Sequence, residues 1–281
     1  MSWEPGPAVS VLRAGLFADT TALITGGGTG LGRETALAFA RLGARVAVAG
    51  RTAERLDEVA ALIRADGGTC LAVPTNIREV AQVEALREAV YNAFGRVDHL
   101  INNAGGQFPA PPSAISDNGW RAVVDLNLNG TWNVTSRFMH DMAAAGSGSI
   151  VNVVHTFSFE RGASMFVHSG AARAGVVNLV KSLAPTLIRH GVTINALAPG
   201  VFSTPGMVAA ELETTGRTEE SFETELLAQG TAPRLGTVDE MAAMILYLCS
   251  PAGRFVSGST VIVDGASMQS NWVSMFPDGT L

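Results

Sequence analysis

Charge is scarce in this sequence. Asp, Glu, Lys and Arg together make up 16% of its 281 residues, against about 25% in an average soluble chain. The balance is acidic, 19 basic against 25 acidic side chains for a net −6. A phosphate backbone calls for a basic stripe, so this balance argues against nucleic acid as a partner. Only Cys70 and Cys249 are present, too few for a disulfide framework, and each lies in an apolar run where a buried free thiol is expected. The longest strongly apolar run, 242–249, is far short of the roughly 20 residues that cross a bilayer, so no membrane partner is expected. No basic segment accompanies Glu4, Pro5 and Pro7, which argues against a signal peptide. The last residues, 278–281, are not an S-K-L type address. The expectation is a cytoplasmic protein. His99, His140 and His190 stand among polar positions without ligand spacing, so no metal is expected.

Glycine is abundant, at 31 residues, and it punctuates an alternating pattern. Short apolar runs at 20–25, 44–50, 69–74, 99–102, 149–154, 193–198 and 260–264 read as strands. Between them, helical spacing covers 31–42, a segment from the N-cap Thr52 to 66, 79–94, one long helix at 116–145, 169–190 and 237–249. Continuous apolar strands separated by helices predict a parallel sheet covered on both faces. Residues 203–233 break the rhythm with six glutamates and are read as a helical lid. The tail 267–281 lacks periodicity but carries Trp272, Met275 and Phe276.

The first strand runs directly into TGGGTGLG at 25–32. Glycines permit a tight turn and close backbone approach, and the following helix N-terminus offers free N–H groups to a pyrophosphate. Strand, loop and helix in this order are a strong signal, and they make Gly26, Gly28, Thr29, Gly30 and Leu31 the candidate phosphate cradle. The fold class expected is α/β, a Rossmann-type doubly wound parallel sheet in a single domain with a helical lid. At the end of the second strand a carboxylate would suit the ribose 2′-OH of NAD, whereas arginine suits a 2′-phosphate. The chain has Arg51 there, with Arg55 one helical turn on and Arg33 after the last loop glycine. Guanidinium forks match phosphate geometry, so NADP(H) is the expected cofactor.

From about 16 to 266 the chain resembles the short-chain dehydrogenase/reductase family. The Gly-rich loop, NNAG at 102–105, Asn127, Pro199-Gly200 and VDG at 263–265 recur in the family's order. The resemblance implies that Asn76 and Ile77 flank the adenine, that Asn103, Ala104 and Gly105 pass beside the cofactor, and that Pro199, Gly200 and Val201 border the nicotinamide. It also implies a tetramer or dimer built through the helices at 116–145 and 169–190. The Gly170, Ala171, Ala174 and Gly175 face would permit close packing. The family's Y-x-x-x-K pair is replaced, with Ser169 at the tyrosine and Arg173 at the lysine, and His155 stands at the usual serine. Tyr91 and Tyr247, the two tyrosines, lie in helices that the family keeps away from the nicotinamide.

A serine hydroxyl is a far weaker acid than a phenol, and an arginine does not shuttle protons. Hydrogen-bond donors without a strong acid suit hydride addition to a conjugated C=C bond, where charge develops on a thioester oxygen. The stretches VHSGAARAGV (167–176), NNAGGQF (102–108) and NIR (76–78) are similar to trans-2-enoyl-CoA reductases of the peroxisomal type. GGGTGLG (26–32) and LNGT (128–131) are closer to 2,4-dienoyl-CoA reductases. The resemblance implies reduction of a trans-2-enoyl thioester, CoA most readily, with Ser169, helped by Asn127 or water, bonding the oxygen and Arg173 fixing the nicotinamide ribose. Gln107 and Phe108 would line the acyl side, and His155, His168 or water would protonate Cα. Two alternatives remain open: another NADP-dependent reductase, and a binder of NADP(H) that has lost catalysis. The bland reading of His168 is a buried ring bonded to backbone, and that of Asn127 a bridge between backbone groups.

Overall fold

The computed structural model describes residues 12–159, 161–202 and 234–269. The expected lid at 203–233 and most of the expected tail lie outside them. Seven strands form one parallel sheet in the order β3-β2-β1-β4-β5-β6-β7. They are β1 Thr21–Thr25, β2 Arg45–Gly50, β3 Cys70–Pro74, β4 His99–Asn102, β5 Gly148–Val153, β6 Val192–Pro199 and β7 Thr260–Val263. The helices are α1 Gly30–Arg41, α2 Ala53–Ala65, α3 Val80–Phe94, α4 Asp117–Val124, α5 Gly130–Ala145, α6 Val167–Leu187 and α7 Val238–Cys249.

Strand side chains alternate between two cores, as the pleat requires. Ala22, Ile24, Val46 and Val48 join α1, α2 and α7 on one face. Leu23, Ala47 and Ala49 join α3, α5 and α6 on the other. This is why the strands read as continuous apolar runs rather than as polar–apolar alternation. Both cysteines are buried and free, and burial pushes each thiol up to about 12. No described helix is long and apolar enough to cross a membrane.

Four expectations need correction. The long helix at 116–145 is interrupted at Asp125–Asn129 by a π turn, in which the Gly130 N–H reaches back five residues to the Asp125 carbonyl. Thr52 occupies the N-cap of α2 but its hydroxyl makes no capping bond. α6 starts at Val167, two residues before Ser169. His99 is not on a polar surface: it is 7% exposed and packs against the rings of Phe17 and Phe39.

Candidate functional site

In a parallel sheet all strands end on one edge, and ligands settle there where the strand order reverses. Here the reversal lies between β1 and β4. The candidate residues follow the strand ends on that edge: 26–31 after β1, 51–55 after β2, 76–77 after β3, 103–108 after β4, His155 after β5, and 200–201 after β6.

The loop after β1 has the geometry of an anion cradle. Gly26 and Gly30 have φ of +64° and +52°, a region that disfavours side chains. A methyl group on Gly26 would stand 2.8 Å from Asn103 Nδ2, and one on Gly32 would strike the Gly26 carbonyl. Thr29 is the N-cap of α1 without a side-chain bond, so the first-turn N–H groups keep their capacity for an anion. The loop is tied to the end of β4. Thr25 Oγ1 accepts from the backbone N–H groups of Asn103 and Ala104 at 3.1 and 3.0 Å. Asn103 Nδ2 donates to the carbonyls of Thr25 and Gly26. Arg51 and Arg55 are exposed, and neither is in an ion pair among the described residues. A methyl on Gly28 would meet Arg55 Cβ at 3.1 Å, so Arg55 lies against the loop. These features fit a phosphorylated dinucleotide. Asn76 Oδ1 is engaged by the backbone and side chain of Arg78, and Ile77 is buried.

The reactive end gathers Ser169, Arg173, His155 and Asn127. Ser169 is fully buried in the first turn of α6, and its Oγ lies 3.0 Å from His155 Nε2. Arg173, one turn on, donates from Nη1 to the Val153 carbonyl at 2.6 Å, at the end of β5. Its Nε is buried without a partner, and no carboxylate pairs with it among the described residues. Burial lowers its pKa to about 10, so it is cationic at neutral pH. Asn127 is wholly engaged with backbone. It donates to the carbonyls of Gly106 and Val123 at 2.7 and 2.8 Å and accepts from Gly106 N–H at 3.2 Å. Gly105 lies between Asn127 and Arg173, where a methyl would strike Arg173 Nη2 and stand 2.7 Å from Asn127 Oδ1.

His168 is fully buried, yet both its ring nitrogens lack partners. The backbone bond expected for it is not made. Its ring stands edge-on to Phe108 at 4.5 Å between centroids, while Gln107 and Phe108 are exposed. Pro199 ends β6, and Gly200 packs against Asp264, where a methyl would come within 2.6 Å of Asp264 Cβ. Sequence reading missed Ser158, whose hydroxyl is 3.0 Å from His155 Nδ1. No motif marks a serine in a single 3-10 turn. Thr25, the clamp on the glycine loop, was also missed, although its place between strand and glycines was a usable signal. Among the described residues no group of three or more His, Cys, Asp or Glu could hold a metal ion.

Comparisons with known proteins agree with this geometry. The family model for short chain dehydrogenases matches residues 20–215. A peroxisomal 2,4-dienoyl-CoA reductase from Rattus norvegicus is 37% identical over 254 residues, covering 90% of this chain and 85% of its own. A probable 2,4-dienoyl-CoA reductase from Bacillus subtilis is 35% identical, covering 91% and 97%. Among solved structures, a citronellol catabolism dehydrogenase from Pseudomonas aeruginosa superposes with a TM-score of 0.78 at 36% identity, covering 92% and 99%. The parallel sheet, the glycine cradle at its switch point and a match over most of the length lead to one assignment: the chain belongs to the short-chain dehydrogenase/reductase family of oxidoreductases.

Proposed function

We propose that the protein is an NADPH-dependent reductase of the conjugated C=C bond of a trans-2-enoyl thioester, acting in the cytoplasm. The observation that carries this reading is the pair of Ser169 and Arg173 on α6, a hydroxyl and a fixed cation with neither tyrosine nor lysine beside them. Tyr91 lies on α3 against Arg87 and Phe138, and Tyr247 is exposed on α7. Lys181, the chain's single lysine, is exposed two turns along α6 from Arg173. Reduction of a ketone leaves an alkoxide that needs a proton from a competent acid, which serine is not. An enolate on a thioester oxygen needs a hydrogen bond and positive potential. Ser169 provides the first and Arg173 the second.

Gly26, Gly28, Thr29, Gly30 and Leu31 would hold the pyrophosphate, with Arg51 and Arg55 on the 2′-phosphate and Asn76 and Ile77 about the adenine. Asn103, Ala104, Gly105, Pro199, Gly200 and Val201 would border the nicotinamide half. Bound there, the cofactor supplies a hydride. Arg173 holds the ribose side and its charge faces the reacting oxygen. Asn127 acts by fixing Gly106, and with it the strand end that carries Gly105. Gln107, Phe108 and His168 form the acyl side. Water or His168 gives the proton to Cα.

The names of the rat and Bacillus relatives support a second reading, a 2,4-dienoyl thioester as substrate. NADPH oxidation with crotonyl-CoA, trans-2-decenoyl-CoA and trans,trans-2,4-decadienoyl-CoA separates the two, with NADH and a simple ketone as controls. Turnover of enoyl-CoA supports the first reading, and of the dienoyl ester alone the second. Turnover of the ketone alone would place the protein with the dehydrogenases of the family. NADPH binding without any turnover would leave a non-catalytic binder.

The occupant proposed for the exposed face of α4, α5 and α6 is a second copy of the chain. Trp120 on α4 and Trp132 on α5 are 40% and 41% exposed. Ala171 and Ala174 would let a neighbouring helix approach, whereas Gly170 and Gly175 are packed on Phe157 and Leu128 of the same chain. Light scattering should give a dimer or tetramer mass, and a monomer would end this part of the reading.

A further inference from the structure

Ser158 closes the turn Thr156–Ser158 after β5, and its N–H donates to the His155 carbonyl. Its hydroxyl stands 3.0 Å from His155 Nδ1, and His155 Nε2 stands 3.0 Å from Ser169 Oγ. Both hydroxyls are buried. Among the described residues the imidazole is the one hydrogen-bond partner of either.

The protons of this chain can be counted. A neutral imidazole has one N–H, and each serine has one O–H. Three protons share two hydrogen bonds, so one proton is always spare, and the tautomer decides where it lies. With the proton on Nδ1, the spare is the Ser158 hydroxyl proton, enclosed and without an acceptor. With the proton on Nε2, Ser158 donates to Nδ1 and Nε2–H donates to Ser169 Oγ. The spare is then the Ser169 hydroxyl proton, in the site where an acyl oxygen would arrive. Both serines are equally enclosed, so the forms differ once an acyl oxygen reaches Ser169: only the Nε2–H form then leaves no donor without an acceptor, and it is favoured in that complex.

The same side chains could be mistaken for the serine–histidine pair of a hydrolase. There the imidazole must take the serine proton and become a cation held by a carboxylate. Here Nδ1 meets a hydroxyl, the ring is largely buried, and the charged group facing it is Arg173. Burial first and Arg173 second pull the imidazole down to about 3. The ring is therefore a poor base, and among the described residues no carboxylate pairs with it to hold a cation, so Ser169 is not set up to attack a thioester.

We propose that His155 is the positioning residue of this site: its Nε2–H donates to Ser169 Oγ and turns the Ser169 hydroxyl proton towards the acyl carbonyl oxygen, while Ser158 fixes the tautomer. The proposal rests on the reading of Ser169 as the donor to a thioester oxygen.

Two measurements on the full-length protein test it. In the dead-end complex with NADPH and the saturated butanoyl-CoA, labelled with [15N]histidine, the His155 signals (assigned by their loss in His155→Gln) should show Nε2 protonated, Nδ1 bare and no charging from pH 8 to 5. Ser158→Ala should give a mixture of tautomers. In steady-state assays with the enoyl-CoA that is turned over, Ser169→Ala and His155→Phe should each lower kcat by about tenfold or more. His155→Gln, whose amide N–H can stand in for Nε2–H, should stay within about threefold of wild type, and NADPH affinity should be unchanged in all. Normal kcat in His155→Phe with a slow Ser169→Ala would overturn the role of His155 and leave that of Ser169. Normal kcat in Ser169→Ala would overturn the underlying reading. An Nδ1–H tautomer, or a charged ring above pH 5, would also overturn the proposal. If His155→Phe does not fold, Ser158→Ala decides by the same two readouts, and wild-type kcat with a single tautomer there would overturn it.

Discussion

Gly105 has no room for even one more carbon. A methyl there would strike the Arg173 guanidinium and crowd Asn127 Oδ1 at 2.7 Å. Arg173 is anchored by its bond to the Val153 carbonyl, so relief must come from displacing the charged end of the side chain. Gly105→Ala is expected to lower kcat by about 10- to 100-fold while the thermal midpoint moves by only a few degrees, since a misplacement of about 1 Å costs that much in a preorganised site. Steady-state kinetics beside a melting curve check it. Arg51 and Arg55 carry a second prediction at this scale. An exposed arginine without a partner contributes little to folding, but two beside a phosphate loop discriminate between cofactors. Arg51→Ala with Arg55→Ala should raise the KM for NADPH by about 100-fold or more and leave that for NADH nearly unchanged, two charged hydrogen bonds to phosphate being worth together about 3–6 kcal/mol. An equal effect on both cofactors would assign these side chains to the surface alone.

At the scale of elements, the strands were legible as apolar runs and most helices as periodic segments stopped by glycine, as at Gly43, Gly67, Gly95, Gly146 and Gly191. The π turn at Asp125–Asn129 was not, since no local pattern distinguishes a helix carrying one extra residue. It sits in a tertiary seam. Gly175 of α6 is packed on Leu128, and Gly130 on Ile77, where added methyls would come within 3.0 and 2.7 Å respectively. The displaced backbone groups are recovered by side chains: Asn127 Nδ2 bonds the Val123 carbonyl, and Thr131 Oγ1 bonds the Asn127 carbonyl. Asn127 then reaches across to Gly106 with both ends of its amide. Asn127→Leu should leave buried backbone groups unpaired and cost about 2–4 kcal/mol by denaturant unfolding, on the scale of one to three unpaired groups. NADPH affinity should fall with it, because Gly106 continues from the segment that the glycine loop is clamped to. Ser169 and Arg173 could be placed from the sequence by the register of one helix. The link from Ser158 through His155 to Ser169 could not, because it depends on a short turn after β5 meeting the first turn of α6.

On the scale of the whole molecule, the strand ends on one edge of the sheet carry the candidate site, and the opposite edge is closed by packed side chains. His99 belongs to the sealed edge. It opens β4, bonds Ser149 Oγ through Nδ1 at 2.8 Å and lies within the rings of Phe17 and Phe39. Burial, outweighing the nearby Asp98, brings its pKa from 6.5 down to about 4. The native state thus keeps this ring neutral in a range where the unfolded chain takes up a proton. Between about pH 6.5 and 4 the unfolded state binds more protons, so stability rises with pH. The contribution is fully present above pH 6.5 and declines as pH falls towards 4, by roughly 3 kcal/mol over the window. His155, pulled down to about 3, extends the same trend to lower pH. Glu240 is depressed to about 2 by Arg234 and the Thr237 backbone, and its stabilisation, present above about 4.5, is lost as pH falls from there towards 2. The two histidine windows overlap from about pH 6.5 to 4, so substitution separates them. His99→Phe keeps an aromatic ring between Phe17 and Phe39 and removes the proton uptake. Its unfolding free energy, measured in urea at pH 7, 6, 5 and 4.5, should fall less steeply with acid than that of the wild type, by close to one proton in slope. Its value at pH 7 should be lower, because Ser149 loses a partner. Parallel slopes for the two proteins would mean that His99 is already protonated in the native state and that the acid sensitivity arises elsewhere in the fold.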